Sequence, residues 1–253
     1  MKPGDASQYL ERARALRIVP NFWLSAEYLS AQDAKLRSDK NVMWIEEDEW
    51  AVFPPLPLNS IFLHEAHCPV LPIWSDFENF AAGEKTEFLD WEYTYDSDRF
   101  SDMSGGKWKV FRKNSRKWPR DNEGWKYSLA PPNKENIERL LLKWLGPRTA
   151  EIEDGDSLLW FVFNGTRRGF LLRGDELVGI NVWDANEPYL MYRYCITDPD
   201  EPFLDEFARL LFYQSVPGKL VIDGGSLGNP GLERFKDKLN PVKKREVYSR
   251  VIR

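Results

Sequence analysis

Residues 220–252 read LVIDGGSLGNPGLERFKDKLNPVKKREVYSRVI, and the reading of this stretch decides the fold. Leu220, Val221 and Ile222 form a short apolar run of the kind a buried strand needs. Asp223-Gly224-Gly225-Ser226 interrupts it, and glycine can take positive φ at no steric cost, so a sharp turn is expected there. Asn229 followed by Pro230 reads as an N-cap and first helical residue. Leu232, Phe235 and Leu239 recur at helical spacing, and Asn240-Pro241 ends the helix. From Val242 to Ile252 the chain alternates as a strand, with Val247 and Ser249 on one face and Tyr248 and Arg250 on the other. The unit is strand, loop, short helix, strand.

Working outward, the preceding segments repeat this mixture. Lys134–Leu145 carries Ile137, Leu140, Leu141 and Trp144 on one helical face, and Gly146-Pro147 stops it. Ser157–Phe163, Gly169–Trp183 and Tyr189–Ile196 read as strands, with a hairpin turn at Gly174-Asp175. Phe203–Val216 reads as a helix. Earlier, helices are expected near Asp5–Leu16 and Ser25–Arg37, paired strands over Val42–Phe53, an irregular stretch at Pro54–Pro57, short elements at Ile61–Leu63 and Phe77–Phe80, and strands at Phe88–Tyr95 and Trp125–Leu129. Mixed strands interleaved with helices indicate α/β or α+β sheets with helices packed on them.

The chain has 253 residues, 42% hydrophobic and 30% charged, which describes a globular protein with a substantial core. Its net charge of -5 exerts no global pull on nucleic acid or anionic membrane, so any such contact needs a local patch. Two cysteines, Cys68 and Cys195, make no disulfide framework. The first residues have no signal-peptide core and no run is long enough to span a membrane, so the cytoplasm is the default compartment.

That patch exists. Lys107–Arg120 holds Lys107, Lys109, Arg112, Lys113, Arg116, Lys117 and Arg120 and no acidic residue. As a helix it puts Trp108, Phe111, Ser115 and Trp118 on one face and the cations opposite. Such a face suits phosphate oxygens, and Arg grips them bidentately. The alternative is a solvated face balanced in space by an acidic run such as Glu46–Glu49. His64, His67 and Cys68 are potential metal ligands, but no further Cys–His cluster accompanies them, and Pro69 and Pro72 oppose a helix; no metal site and no bound cofactor is assigned. The glycines at 224, 225, 228 and 231 fit neither a P-loop nor GxGxxG. Tyr192, Arg193 and Tyr194 sit in mid-strand, and Arg193 or one of its neighbours is expected to face a cleft or an edge, because a lone buried Arg is costly.

Two patterns carry a resemblance. Leu227, Gly228, Gly231, Leu232, Lys236 and Pro241 form one; YTYDSDRFSDMSGGKWKVFRKNSRKW, residues 93–118, forms the other. In this order they resemble the C-terminal catalytic domain of phosphatidylglycerol lysyltransferases over about Phe88–Ile252. The resemblance implies the α+β class, with two GNAT-like mixed sheets with packed helices in tandem, residues 1–130 and 131–253, around one substrate channel. It implies transfer of an acyl or aminoacyl group to an amine or hydroxyl, with aminoacyl-tRNA or acyl-CoA as donor. Arg112, Lys113 and Asn114 match the basic motif, with Arg116 beside them, and Lys236 matches the C-terminal Lys; these would hold the anionic parts of the substrates and stabilise charge at the tetrahedral centre. Asp223 is the candidate general base, with Glu187 a second. Asp223 and Ser226 stand where that family has Asn and Asp. No membrane-spanning half is read in this chain, which makes a lipid acceptor less expected. After Ile196 the chain has Thr197-Asp198-Pro199-Asp200-Glu201-Pro202, without glycine and with three acids, which would repel a pyrophosphate and argues against acetyl-CoA. The competing reading is a non-catalytic GNAT-like protein that binds nucleic acid or another polyanion through Lys107–Arg120, or an acyltransferase acting on nucleic-acid bases.

Overall fold

The structure, a computed structural model, describes residues 3–18, 20–32, 34–39, 42–47, 50–51, 56–57, 73–74, 87–146, 155–226 and 228–249. The expectations at Ile61–Leu63, His64–Cys68 and Phe77–Phe80 lie outside these residues. The first unit comprises α1 (Pro3–Ala15), α2 (Ala26–Ala31) and four short strands, β1 (Lys35–Asp39), β2 (Val42–Glu47), β3 (Trp50–Ala51) and β4 (Leu56–Pro57). Antiparallel pairing joins β2 to β1, β3 and β4. Tyr9, Leu10, Ala13, Leu29, Ile45 and Leu56 close a small core between them.

The remaining elements are β5 (Ile73–Trp74), β6 (Glu87–Asp96), α3 (Arg99–Asp102), α4 (Lys109–Ser115), α5 (Lys117–Asp121), β7 (Trp125–Ser128), α6 (Lys134–Leu145), α7 (Gly155–Asn164), β8 (Arg167–Arg173), β9 (Glu176–Asn186), β10 (Tyr189–Thr197), α8 (Leu204–Ser215), β11 (Leu220–Asp223), α9 (Pro230–Lys238) and β12 (Lys243–Ser249). Among the described residues they build one eight-stranded sheet in the order β5-β12-β6-β11-β10-β9-β8-β7. Only β10 and β11 run parallel, joined by the crossover helix α8. The α+β class therefore holds, with a mixed sheet, a small antiparallel sheet and packed helices. Strands from both sides of residue 130 share the large sheet, since β6 pairs with β11 and β12, and β7 with β8.

Helices cover both faces, and the period of two along β9 shows how. Ile180 and Val182 meet the α6–α7 side with Ile137, Leu140, Phe161 and Phe170. Trp183 packs with Tyr192 and Phe212 on the α8 side, where Asn181 donates to the Ala208 carbonyl at 2.8 Å. On that second face Phe100 of α3 stacks on Tyr213 of α8 at 3.8 Å, and Trp108, Phe111 and Tyr95 enclose the pair.

Three sequence expectations are corrected. Ser157–Phe163 belongs to a helix: Leu158, Phe161 and Val162 are buried while Leu159 is exposed, a 3.6-residue period inside a run that length alone left ambiguous. The Ser25–Arg37 helix stops at Ala31, because Lys35–Asp39 instead pairs residue by residue with Val42–Glu47. Lys107–Arg120 is not one helix but a 3-10 turn followed by α4 and α5. Pro119 has no N–H for the Ser115 carbonyl, so the ladder parts at Arg116. The expected burial survives the break: Trp108, Phe111, Ser115 and Trp118 all face inward.

Phe100→Ala removes a fully buried ring and is expected to cost about 3–5 kcal/mol in urea denaturation. Leu142→Ala, on a side chain 71% exposed, should change stability by less than about 0.5 kcal/mol.

Candidate functional site

Asp223, the last residue of β11, lies opposite Tyr93 of β6 and Tyr192 of β10. There the two parallel strands part: β11 stops while β10 runs on to Thr197. At this fork Asp223 is met from two helices. Arg209 of α8 donates to Oδ2 and Lys236 of α9 donates to Oδ1, both at 2.8 Å. Lys236 also donates to the Gly224 carbonyl. Aromatic rings enclose the cations: Arg209 lies over Tyr192 and Phe235, and Lys236 over Tyr93. Burial pushes the Asp223 carboxyl up, but Lys236 and Arg209 outweigh it and hold it below the ordinary range.

The helix that brings Lys236 is built as its sequence implies. Asn229 accepts from the Gly231 and Leu232 amides at 2.8 and 3.1 Å, with Pro230 in the first turn. The glycines before it serve differently from the expected turn. Neither Gly224 nor Gly225 takes positive φ. A Cβ on Gly225 would lie 2.0 Å from Asp90 Oδ2 and 2.7 Å from the Trp91 carbonyl, so residue 225 is bare because β6 passes against it. Ser226 then hydrogen-bonds Asp90 at 3.3 Å.

Of the sequence candidates, Asp223 and Lys236 are thus brought into direct contact, and both are buried. Arg112, Lys113, Asn114 and Arg116 sit elsewhere, on and after α4, which packs on α8. The Arg112 guanidinium donates to the Met103 carbonyl, and Asn114 donates to Glu206 Oε1 at 3.0 Å. Burial, with Asp205 beside it, pushes Glu206 up to about 7. Lys107, Lys109, Lys113 and Arg116 are exposed, and none is in an ion pair with another described residue. Trp118, stacked on Phe207 at 5.5 Å, fixes the segment to α8. Glu187 is exposed and paired with Lys219. The acids after β10 are paired internally: Asp198 and Asp200 share Lys143 at 2.6 and 2.8 Å, and Glu201 meets Arg173 at 2.6 Å. Among the described residues no group of three potential metal ligands occurs, and no helix is long and apolar enough to cross a membrane.

The sequence reading missed the other face of the fork. Arg193 does not face a cleft or an edge; its side chain is 1% exposed and pairs with Asp184 of β9 at 3.0 Å. The ladder slips between Tyr192 and Tyr194, a bulge that re-aims Arg193. Phe22, Tyr28 and Phe161 line its guanidinium. Arg245 of β12 likewise pairs with Glu92 of β6, donating from Nε at 2.6 Å. Each charge meets a partner that the primary structure places on a different strand, which is why single-residue reasoning about Arg193 failed.

No family profile matches the sequence, and no curated protein does. Solved structures do match the fold. A conserved protein of unknown function from Bacteroides thetaiotaomicron superposes with a TM-score of 0.75 at 14% identity, covering 100% of this chain and 98% of that one. The C-terminal domain of a putative lysylphosphatidylglycerol synthetase from Agrobacterium fabrum gives 0.63 at 14% identity, covering 96% and 92%. L-PGS from Bacillus licheniformis gives 0.63 at 17% identity, covering 96% and 90%.

Asp223→Asn leaves Lys236 and Arg209 buried against a neutral group and should cost about 3–5 kcal/mol at neutral pH, with Asp223→Asn/Lys236→Met less damaging than the single change. Because the folded carboxyl titrates below its unfolded value, its contribution is fully present above the ordinary Asp pKa of about 3.9 and is lost as pH falls through the folded value. Urea midpoints measured down a pH series should therefore converge for wild type and Asp223→Asn in acid. A gap that stays constant would mean that Asp223 does not carry the charge.

The fold is that of the C-terminal domain of lysylphosphatidylglycerol synthetases, and the chain carries a buried ion cluster on α8, β11 and α9 and a separate exposed basic surface on α4, which packs on α8.

Proposed function

We propose that the chain is a GNAT-type acyl or aminoacyltransferase that takes the group from a polyanionic donor, such as aminoacyl-tRNA, and passes it to an amine or hydroxyl. The observation that carries this reading is the basic surface of α4 and α5. Lys109, Lys113 and Arg116 project from helices fixed to α8, unpaired among the described residues, in a chain of net charge -5. Unpaired cations held on a rigid element suit phosphate oxygens, and neutralising phosphates releases counterions. Arg112 and Asn114, tied to Met103 and Glu206, hold the surface in register. In this reading Asp223 acts as a positioning group: a carboxylate clamped by Lys236 and Arg209 is a weak base but a firm anchor for the loop at 224–226.

The second reading, a polyanion-binding protein without catalysis, is favoured by the same clamp, since it leaves neither Asp223 nor Lys236 free for proton transfer. Transfer of a radiolabelled aminoacyl group from charged tRNA to small amines separates the two. Label moving to an acceptor supports the transferase; tight, salt-sensitive binding of tRNA with no transfer of any amino acid leaves the binding protein. In either case Lys113→Ala/Arg116→Ala should weaken tRNA binding and make the dependence of log K on log salt shallower by about 2. A slope unchanged by the double substitution would move the anion site away from α4.

A further inference from the structure

The face of the sheet opposite the Asp223 cluster carries a row of charges that the proposed transfer does not use. Arg245 of β12 is paired in register with Glu92 of β6. Gly224 follows directly on the end of β11, where Asp223 lies between Tyr93 of β6 and Tyr192 of β10, and Arg193 of β10 pairs with Asp184 of β9. Four strands supply the row, Arg245 with Glu92 and Arg193 with Asp184, and Phe22, whose main chain meets both pairs, packs on the bare glycine at 224. All four charges are buried.

What lies on this row is the segment 20–25 between α1 and α2, and the charges address its main chain. The Phe22 amide donates to Glu92; the Phe22 carbonyl accepts from Arg193; the Pro20 carbonyl accepts from Arg245. Asn186 donates to the Leu24 carbonyl at 2.8 Å. The Phe22 ring sits over the Arg193 guanidinium at 4.4 Å and fills the place where residue 224 has no side chain, since a Cβ there would lie 3.0 Å from the ring. Docking one apolar unit on another needs no buried ions, and ion pairs of this kind are often no better than apolar packing. A frame that offers an acceptor to one N–H and donors to the carbonyls on either side recognises peptide backbone, here residues 20–22 leading into the turn that the Leu24 amide closes on the Asn21 carbonyl at 3.1 Å. It is also not exhausted: Nη1 of Arg245 and Oδ1 of Asn186, both buried, have no hydrogen-bond partner among the described residues.

We infer that this row is a peptide-binding site occupied in cis by residues 20–22, with the Phe22 ring on Gly224 as its fastener, and that a peptide of the same chemistry binds there when the segment is released. The site is on the opposite face from Asp223 and Lys236, so the inference stands or falls independently of the transferase reading.

The test uses the full-length chain and the capped tripeptide acetyl-Pro-Asn-Phe-amide, followed by calorimetry or chemical-shift titration. Wild type should show no saturable binding. Phe22→Ala should exchange the amide protons of residues 21–25 roughly tenfold or more faster than wild type and bind the peptide with Kd on the order of 1 mM or tighter. Methylating the Phe amide nitrogen of the peptide, which removes the donor to Glu92, should weaken binding by about tenfold or more. If Phe22→Ala does not fold, Asn21→Ala removes the side-chain acceptor of the Leu24 amide and loosens the segment while leaving Gly224 and the four charges unchanged, and the same criteria apply. The inference is overturned if the folded variant exchanges faster yet binds nothing, if exchange is unchanged, if wild type binds as well as the variant, or if N-methylation has no effect.

Discussion

The Asp223 carboxylate ties together three elements that also share the aromatic core: β11 by its backbone, α8 through Arg209 and α9 through Lys236. A charge taken out of water must be met inside, and here one anion is met by two cations, so α8 and α9 are drawn to the end of a strand only four residues long. With those helices placed, the aromatic layer of Tyr93, Tyr95, Phe100, Tyr192 and Tyr213 has walls on every side. The basic segment in turn leans on α8 through Phe111 and Trp118. The position of the exposed cations is thus a remote consequence of a sealed one.

The short strand also explains its glycines. One face of the fork holds Asp223, the other the segment carrying Phe22, and β6 runs close alongside. Gly224 leaves room for a ring and Gly225 for a passing backbone, and an alanine at 225 would collide with atoms that cannot give way. Side chains are absent there because the space is taken from two directions, not because the chain must turn left-handed.

Much of this was legible from residues. Asn229-Pro230 announces α9, the Lys134–Leu145 periodicity gives its helix to the residue, and the alternation of aromatic and basic residues in Lys107–Arg120 assigns the buried face correctly. The patterns around Lys107–Trp118 and Leu227–Pro241 pointed to a fold that the structural matches bear out. Where the reading failed, the deciding fact was tertiary. Ser157–Phe163 is apolar enough for either period, and only its packing against α6 and β8 selects the helix. Arg193 looked costly because its counterion, Asp184, becomes a neighbour only once β9 and β10 have paired, and its other partner, Ser25, is 168 residues away. Lys236 was expected to hold substrate anions, yet it meets Asp223, because a motif lysine and helical periodicity do not tell which buried acid waits beneath it.

The order of the central strands has a consequence for how the chain is made. β6 is flanked by β11 and β12, so the ion pair between Glu92 and Arg245 spans 153 residues. As the polypeptide leaves the ribosome, β6 emerges with neither neighbour yet synthesised, a strand with two open edges rich in Trp and Tyr. Pairings of such long sequence separation form slowly, and unpaired edges recruit other chains. Productive assembly of this sheet is therefore a late event in biosynthesis, and the nascent chain between β6 and β11 is the interval in which chaperones have most to do.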